Sequence, residues 1–130
     1  DILDLIHREP LISIHPVVRV IPETGEKALF ISPSTTSHLI GLSSSESRVL
    51  LDLFSEQIAR DEYRVRFRWQ PGSIAMWDNR TTAHLAALDH AHLDVTRRLY
   101  RVTVLGEPPT GPDGVASQPV AGRPFTRIEP

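Results

Sequence analysis

A strictly alternating segment at residues 63–69 constrains the fold of this chain more than any other feature. Its sequence, YRVRFRW, places aromatic and branched side chains at every second position and three arginines between them. Neighbouring residues of a β-strand point to opposite faces, so a period of two indicates a strand with one buried side. The segment therefore predicts a half-buried strand in a sheet whose other face carries charge.

The remaining elements extend this pattern to a mainly β chain. Residues 17–31 predict a hairpin, with Gly25 in its turn. Ser43 and Glu46 form the pattern of a capping box, and the apolar residues after it recur at helical spacing, which predicts one amphipathic helix over about 44–60. Further strands are predicted at 74–77, 82–87 and 97–105. The result is about six strands with one helix, arranged as a sandwich, barrel or jelly roll.

Length and composition limit the possible functions. The 130 residues contain no cysteine, which excludes disulfides and zinc–thiolate sites. Their net charge of -2 gives no general affinity for nucleic acid or anionic membranes. The arginines of the alternating segment therefore predict a solvated face. Proline and glycine are frequent near the C-terminus, which predicts a globular part over 1–106 and an extended tail over 107–130. No signal peptide or membrane-spanning run is recognisable, so a cytoplasmic location is expected.

His84 is the first candidate for a functional residue. It lies between small and apolar neighbours, after a Trp-Asp-Asn-Arg turn at 77–80. A lone histidine in such surroundings is commonly a hydrogen-bonded core residue, but histidine is also the commonest metal ligand. The turn before it and the arginines after it favour a functional role, and the residues alone leave both interpretations open.

Arginines on the predicted last strand form a second candidate site. Arg97 and Arg101 are four residues apart, so on a strand they share one face, whereas Arg98 lies on the other, largely apolar face. Guanidinium groups bind carboxylates and sulfonates through parallel hydrogen bonds. The alternative is a solvated sheet edge with surface arginines.

Two three-residue patterns have the form of part of an iron site. His92-Leu93-Asp94 is a His-x-Asp sequence, which supplies two ligands of the facial triad of non-haem iron, and His7-Arg8-Glu9 is a variant of it. Both patterns occur by chance. The first follows His84 in a loop and the second lies in a terminus that no motif places, so neither is predicted to bind metal.

Four motifs in order make the chain recognisable. They are HPVVRVIPETGEKALFIS, the Gly-Leu-Ser…Glu-Ser start of the helix, VRFRWQPGSIAMWDNRTTAH and RRLYRVTVLGEPP, over residues 15–109. They resemble the C-terminal half of the taurine dioxygenase (TauD/TfdA) family, and DGVASQPVAGRPF resembles the C-terminus of its alkylsulfatase-type members. The resemblance implies part of a double-stranded β-helix (jelly-roll) core. It also implies an Fe(II)- and 2-oxoglutarate-dependent dioxygenase that oxidises a small anionic sulfonate or sulfate ester and releases succinate and CO2.

The resemblance also implies roles for individual residues. His84 matches the family's distal iron ligand. Arg97 matches the arginine that binds the far carboxylate of 2-oxoglutarate, with Arg98 as the alternative if the alignment shifts by one residue. Arg101 matches the residue that binds the anionic group of the substrate. Tyr100 stands where the family has a histidine, which leaves the identity of the substrate open.

One part of the family's site has no counterpart here. The His-x-Asp iron ligands of the family precede the segment that matches the hairpin at 17–31, and nothing in this chain matches them. We therefore expect part of a longer enzyme, inactive by itself, which as a whole forms a homo-oligomer. Two other functions fit the residues: a non-catalytic β-sandwich module that binds an anion through Arg97 and Arg101, or an oligomerisation module whose helix and tail pack against a partner.

Overall fold

Four short strands and one α-helix make up the regular structure of the described part of the chain. The structure, a computed structural model, describes residues 11–86, 92–94, 96 and 98–122. Its elements are β1 (Ile12–Ile14), β2 (Val18–Val20), β3 (Lys27–Leu29), α1 (Ser44–Ile58), a 3-10 helix (Asp61–Tyr63) and β4 (Gln118–Ala121). β1 pairs with β4 and β2 pairs with β3, in two separate two-stranded sheets. The prediction of a mainly β chain with one helix is confirmed.

The chain divides into two compact units. Residues Asp1–Lys27 and His84–Pro130 form the first, and Ala28–Ala83 form the second. Few described side chains are buried: Arg19 and Ile21 in the first unit, and Leu39 and Ser47 in the second. Half of these buried residues are therefore polar. In the described residues, no helix has both the length and the apolar character needed to cross a membrane.

The predicted hairpin is present as β2 and β3. Ile21 donates its N–H to the carbonyl of Glu26 at 2.8 Å, and Gly25 donates to the carbonyl of Ile21 at the same distance. Gly25 has a φ of 71°, which glycine adopts without the steric cost that a Cβ would bring. The turn chemistry that predicted this hairpin is thus the chemistry that forms it.

The C-terminal segment contains a strand where the sequence predicts an extended tail. β4 pairs antiparallel with β1, placing Gln118 opposite Ile14. The segment is also tied to β2, because the N–H of Val20 donates to the carbonyl of Thr110 at 2.9 Å. Gly114, in the turn before β4, has a φ of 78°. The prolines and glycines of this segment do not prevent Gln118, Pro119 and Ala121 from pairing with β1. The proposed division between residues 106 and 107 stays a prediction.

The capping box predicted at the start of the helix is confirmed. The side chain of Ser43 accepts a hydrogen bond from the N–H of Glu46, and the Glu46 carboxylate accepts one from the N–H of Ser43 at 2.9 Å. The hydroxyl of Ser43 also donates to that carboxylate at 2.6 Å, and these bonds lower the pKa of Glu46. Two N–H groups at the helix start are thereby satisfied, which fixes the first turn of α1.

The apolar stripe predicted along this helix is covered only in part. Leu50, Phe54 and Ile58 are half-buried, whereas Val49 and Leu53 are 67% and 47% exposed. Helical spacing predicted correctly which residues share a face. It did not predict how much of that face another segment covers, because coverage depends on residues distant in sequence.

Four predicted strands are not strands in the described residues. No strand is assigned to the described parts of 63–69, 74–77, 82–87 and 97–105. Tyr63, the first residue of the first of these segments, is instead the last residue of the 3-10 helix Asp61–Tyr63. Apolar side chains in these segments are exposed instead, including Val65 at 93% and Met76 at 95%. The prediction is wrong here because alternation reports only the capacity to form a strand. A strand exists when a neighbour satisfies its backbone groups.

Candidate functional site

The Trp-Asp-Asn-Arg motif forms a hydrogen-bonded turn. The carboxylate of Asp78 accepts bonds from the backbone N–H of Arg80 and from its guanidinium, each at 2.8 Å. Thr82 binds the carbonyl of Asp78 through its N–H at 3.1 Å and its hydroxyl at 2.6 Å. Trp77 donates from Nε1 to Oδ1 of Asn79 at 3.0 Å. Every residue of the motif thus contributes a polar group to the turn, so the motif encodes a defined backbone geometry.

His84 follows this turn in sequence and is exposed. Its neighbour Leu85 is 90% exposed. His84 is therefore not a buried core residue in the described structure. Its role as an iron ligand, which the resemblance implies, stays a prediction.

The arginine segment is also exposed. Arg98 and Arg101 are both exposed, and they belong to the same compact unit as His84. Arg97, the predicted 2-oxoglutarate ligand, lies outside the described residues. The described part of the segment therefore offers two accessible guanidinium groups, and the assignment of 2-oxoglutarate to Arg97 or Arg98 stays a prediction.

The described residues do not by themselves form a metal site. His92 and Asp94 are exposed, and no group of three or more His, Asp or Glu side chains in the described ranges could hold a metal ion. His7 and Glu9 lie outside those ranges. A facial triad needs three ligands, and the assignment of His84 to one of them stays a prediction.

A polar contact that the sequence did not predict joins the two chain segments that form the first unit. Nδ1 of His15 lies 2.7 Å from the hydroxyl oxygen of Ser117, and that hydroxyl is placed to donate to the carbonyl of Pro109 at 2.9 Å. Burial lowers the pKa of His15, and the positive charge of Arg19 lowers it further. The residues are 102 positions apart, so no local signal in the sequence could have indicated the contact.

The pKa of His15, lowered by burial and by the charge of Arg19, predicts acid sensitivity of the first unit. Because the folded-state pKa of His15 lies below its ordinary value of about 6.5, the unfolded chain binds the proton more tightly. Stability should be constant above about pH 6.5 and decrease as the pH falls through the lowered pKa. Chemical denaturation at pH values from 7.5 to 5, about one to two units either side of the ordinary histidine pKa, measures this decrease in stability. The NMR signals of β1 and β4 report the unfolding of the first unit.

The variant His15→Asn is the control for this prediction. An asparagine amide can still donate to the hydroxyl of Ser117, but it does not titrate. The decrease in stability over this pH range should become smaller in the variant. An identical pH dependence in both proteins would show that His15 is not responsible.

A polar cleft in the second unit was also missed by the sequence. It has a volume of about 490 Å³ and lies between the loop at 31–38 and one face of α1. Hydroxyl groups dominate its lining, together with His38, Arg48 and Asp52. Several of these hydroxyls stabilise the loop itself; for example, the hydroxyl of Thr36 accepts from the N–H of Ser32 at 2.9 Å. The predicted site residues do not line this cleft.

Comparison with known proteins identifies the class to which these motifs belong. The family model of the taurine catabolism dioxygenases, TauD and TfdA, matches residues 4–103. An alkylsulfatase from Acinetobacter baylyi is 42% identical over 101 residues, and an alpha-ketoglutarate-dependent sulfate ester dioxygenase from Pseudomonas putida is 40% identical over 104 residues. These matches cover 78% and 80% of this chain. The chain belongs to the TauD/TfdA family.

Solved structures agree with this assignment. A taurine dioxygenase from Burkholderia xenovorans is 50% identical, with a TM-score of 0.83 over 86% of this chain and 40% of its own chain. The two curated relatives are covered over 31% and 34% of their lengths. This chain therefore spans about a third of the relatives it matches.

Proposed function

We propose that the complete protein is an Fe(II)- and 2-oxoglutarate-dependent dioxygenase that oxidises a small sulfonate or sulfate ester. The observation that carries the proposal is the family match over residues 4–103, a range that spans His84 and the predicted arginines. The names of the matched relatives, alkylsulfatase and sulfate ester dioxygenase, support this class of substrate. Taurine dioxygenase, as the matched solved structure, supports the same class of anion.

Each predicted site residue has a distinct task in this proposal. Iron and 2-oxoglutarate, when bound, supply the oxidising chemistry that removes hydrogen from an unactivated carbon. His84 gives one imidazole nitrogen to iron. Arg97, or Arg98 if the alignment shifts, holds the far carboxylate of 2-oxoglutarate by paired hydrogen bonds. Arg101 holds the anionic group of the substrate, so that the reacting carbon is kept in position.

Several properties of the complete protein belong to the same proposal. The segments that lack strand partners in the described residues are assigned to a jelly-roll core, of which residues 1–106 form the C-terminal half and 107–130 the tail. The protein acts in the cytoplasm on small anions, without nucleic acid or membrane partners. It forms a homo-oligomer, which sedimentation of the purified complete protein would test.

The isolated chain is expected to be inactive. With one candidate ligand, it should lose iron on desalting, whereas a polypeptide that also contains the family's His-x-Asp pair should retain it. The measurements are iron content after gel filtration and succinate released from 2-oxoglutarate with an alkyl sulfate. Turnover by the 130-residue chain with Fe(II) and 2-oxoglutarate would contradict this expectation.

A matched pair of histidine variants tests the role of His84 in the complete protein. His84→Ala should reduce iron affinity by about 10- to 100-fold or more, since losing even a residue that supports a ligand has an effect of that size. His38→Ala is the control, because His38 is also exposed but lies in the second unit and matches no family ligand. Equal iron content in both variants would contradict the assignment.

One observation favours a second function. The described residues contain exposed arginines but no complete metal site, which is what an anion-binding module without catalysis would show. Calorimetry with taurine or an alkyl sulfate in the presence of a chelator distinguishes the dioxygenase from the non-catalytic anion-binding module. Binding that is unaffected by the chelator, combined with no succinate release by the complete protein, would favour the module.

A further inference from the structure

The polar cleft between the loop at 31–38 and α1 has the size of a small-molecule site. Its volume of about 490 Å³ lies within the range of about 300–1,000 Å³ that such sites occupy. All of its lining residues belong to the second unit, Ala28–Ala83. The cleft is therefore formed within one compact unit.

The less accessible part of the lining consists of hydroxyl groups that are already bonded within the chain. Ser47 is buried and accepts a hydrogen bond from the N–H of Leu39 at 2.8 Å. Ser55 is half-buried and donates to a backbone carbonyl one helical turn earlier at 2.7 Å. Thr36, also half-buried, accepts from the N–H of Ser32 at 2.9 Å. These bonds fix the shape of the cleft before a ligand binds, which reduces the ordering cost of binding.

The two oppositely charged side chains of the lining are not committed in this way. Arg48 and Asp52 are exposed, and within the described ranges no ion pair or side-chain hydrogen bond occupies either of them. They are four residues apart on α1, so they share one face and lie about 6 Å apart along the helix axis. Opposite charges at this spacing commonly pair with each other. Since they do not pair here, both charges are available to a ligand.

We propose that this cleft binds a small zwitterionic amino acid, whose carboxylate pairs with Arg48 and whose ammonium group pairs with Asp52. A guanidinium binds a carboxylate through parallel hydrogen bonds, and an ammonium group has three donors for the oxygens of an aspartate. A ligand with a single charge would use one of these side chains and leave the other unused. A zwitterion uses both, and its neutral total charge matches the neutral sum of Arg48 and Asp52.

The spacing of the two side chains selects among amino acids. Because the charges are separated by about one helical turn, they favour a ligand whose ammonium and carboxylate groups are separated by more than one carbon. The carbon chain of such a ligand lies over Leu51, the half-buried apolar residue of the lining between them in sequence. None of the residues assigned to iron, 2-oxoglutarate or the sulfur-containing substrate takes part, so this binding is independent of the proposed function.

Titration of the 130-residue chain with β-alanine tests the proposal, in buffer without iron or 2-oxoglutarate. Amide NMR shifts measure the dissociation constant, and we expect saturable shifts that are largest at residues 31–38 and 44–55. Propionate and propylamine are the matched ligands, because each keeps the carbon chain of β-alanine and one of its two charged groups. Each should bind about tenfold or more weakly than β-alanine, since one charge-assisted hydrogen-bonded pair is lost.

Two charge-removing variants assign the two ends of the ligand. Arg48→Gln should weaken the binding of β-alanine and of propionate by about tenfold or more and leave that of propylamine unchanged. Asp52→Asn should weaken the binding of β-alanine and of propylamine and leave that of propionate unchanged. Glu56→Gln is the control, because Glu56 is exposed on the same helix but does not line the cleft. It should change the affinity for β-alanine by about twofold or less, as exposed substitutions commonly do.

Three outcomes would overturn the proposal. The first is no saturable shift with β-alanine, or shifts confined to residues outside 31–55. The second is an equal affinity for β-alanine in Arg48→Gln, Asp52→Asn and Glu56→Gln, which would show that the charges of the cleft do not hold the ligand. The third is binding of propionate as tight as that of β-alanine, which would make the cleft a site for simple anions.

Discussion

Arg101→Ala in the complete enzyme is expected to raise the KM for the sulfonate or sulfate ester by about 10- to 150-fold. A hydrogen bond to a charged group contributes about 1.5–3 kcal/mol, and each 1.4 kcal/mol corresponds to a factor of ten. The KM for 2-oxoglutarate should change little, because that cosubstrate is assigned to Arg97. Initial rates of succinate release, with one of the two substrates varied at saturation of the other, measure both constants.

The two other arginines of the segment provide the controls. Arg97→Ala should raise the requirement for 2-oxoglutarate with a smaller effect on the sulfur-containing substrate. Arg98→Ala should affect neither, unless the alignment is shifted by one residue, in which case Arg98 takes the role of Arg97. Arg101→Lys should recover part of the loss, since it keeps the charge but not the paired donors. Equal effects of Arg97→Ala and Arg101→Ala on the sulfur substrate alone would count against the assignment.

Ser47→Ala is expected to lower the free energy of unfolding of the second unit by about 1–3 kcal/mol. Ser47 is 3% exposed, and its hydroxyl oxygen accepts a hydrogen bond from the N–H of Leu39 at 2.8 Å. Leu39 is itself 9% exposed, so the alanine variant leaves a buried N–H with no acceptor and little access to water. Urea denaturation followed by circular dichroism of α1 measures the change.

A second serine of the same helix is the matched control. Ser55 donates from its hydroxyl to the carbonyl of Leu51 at 2.7 Å, one helical turn earlier. Ser55→Ala removes this donor but leaves no N–H unsatisfied, and alanine has the higher helix propensity. The free energy of unfolding of Ser55→Ala should therefore differ from that of the unchanged chain by about 0.5 kcal/mol or less. A loss as large as that of Ser47→Ala would show that the Leu39 hydrogen bond is not the cause.

The comparison of these serines shows where sequence patterns stop being informative. The spacing of Val49, Leu50 and Leu53 predicted an apolar face, and α1 has the predicted start and nearly the predicted end. The most buried side chain of the helix is nevertheless a serine. Its role depends on the N–H of Leu39 in the preceding loop, and no pattern within the helix contains that information.

The candidate site divides in the same way. The Trp-Asp-Asn-Arg turn is local, since its hydrogen bonds join residues no more than four positions apart, and its motif predicted it. The four ordered motifs over residues 15–109, which include those around His84 and Arg101, predicted the family, and the comparisons confirm it. The exposure of these residues was not predictable, because it depends on which other segments lie over them.

Local interactions determined the elements that the sequence predicted correctly. The hairpin around Gly25, the capping box of Ser43 and Glu46, and the turn before His84 each satisfy their polar groups within a few residues. Tertiary structure decided the pairing of β1 with β4, the contact of His15 with Ser117 and the exposure of Val102. The physical reason is that a strand segment specifies which side of it can be buried, while the partner that buries that side is determined elsewhere in the polypeptide.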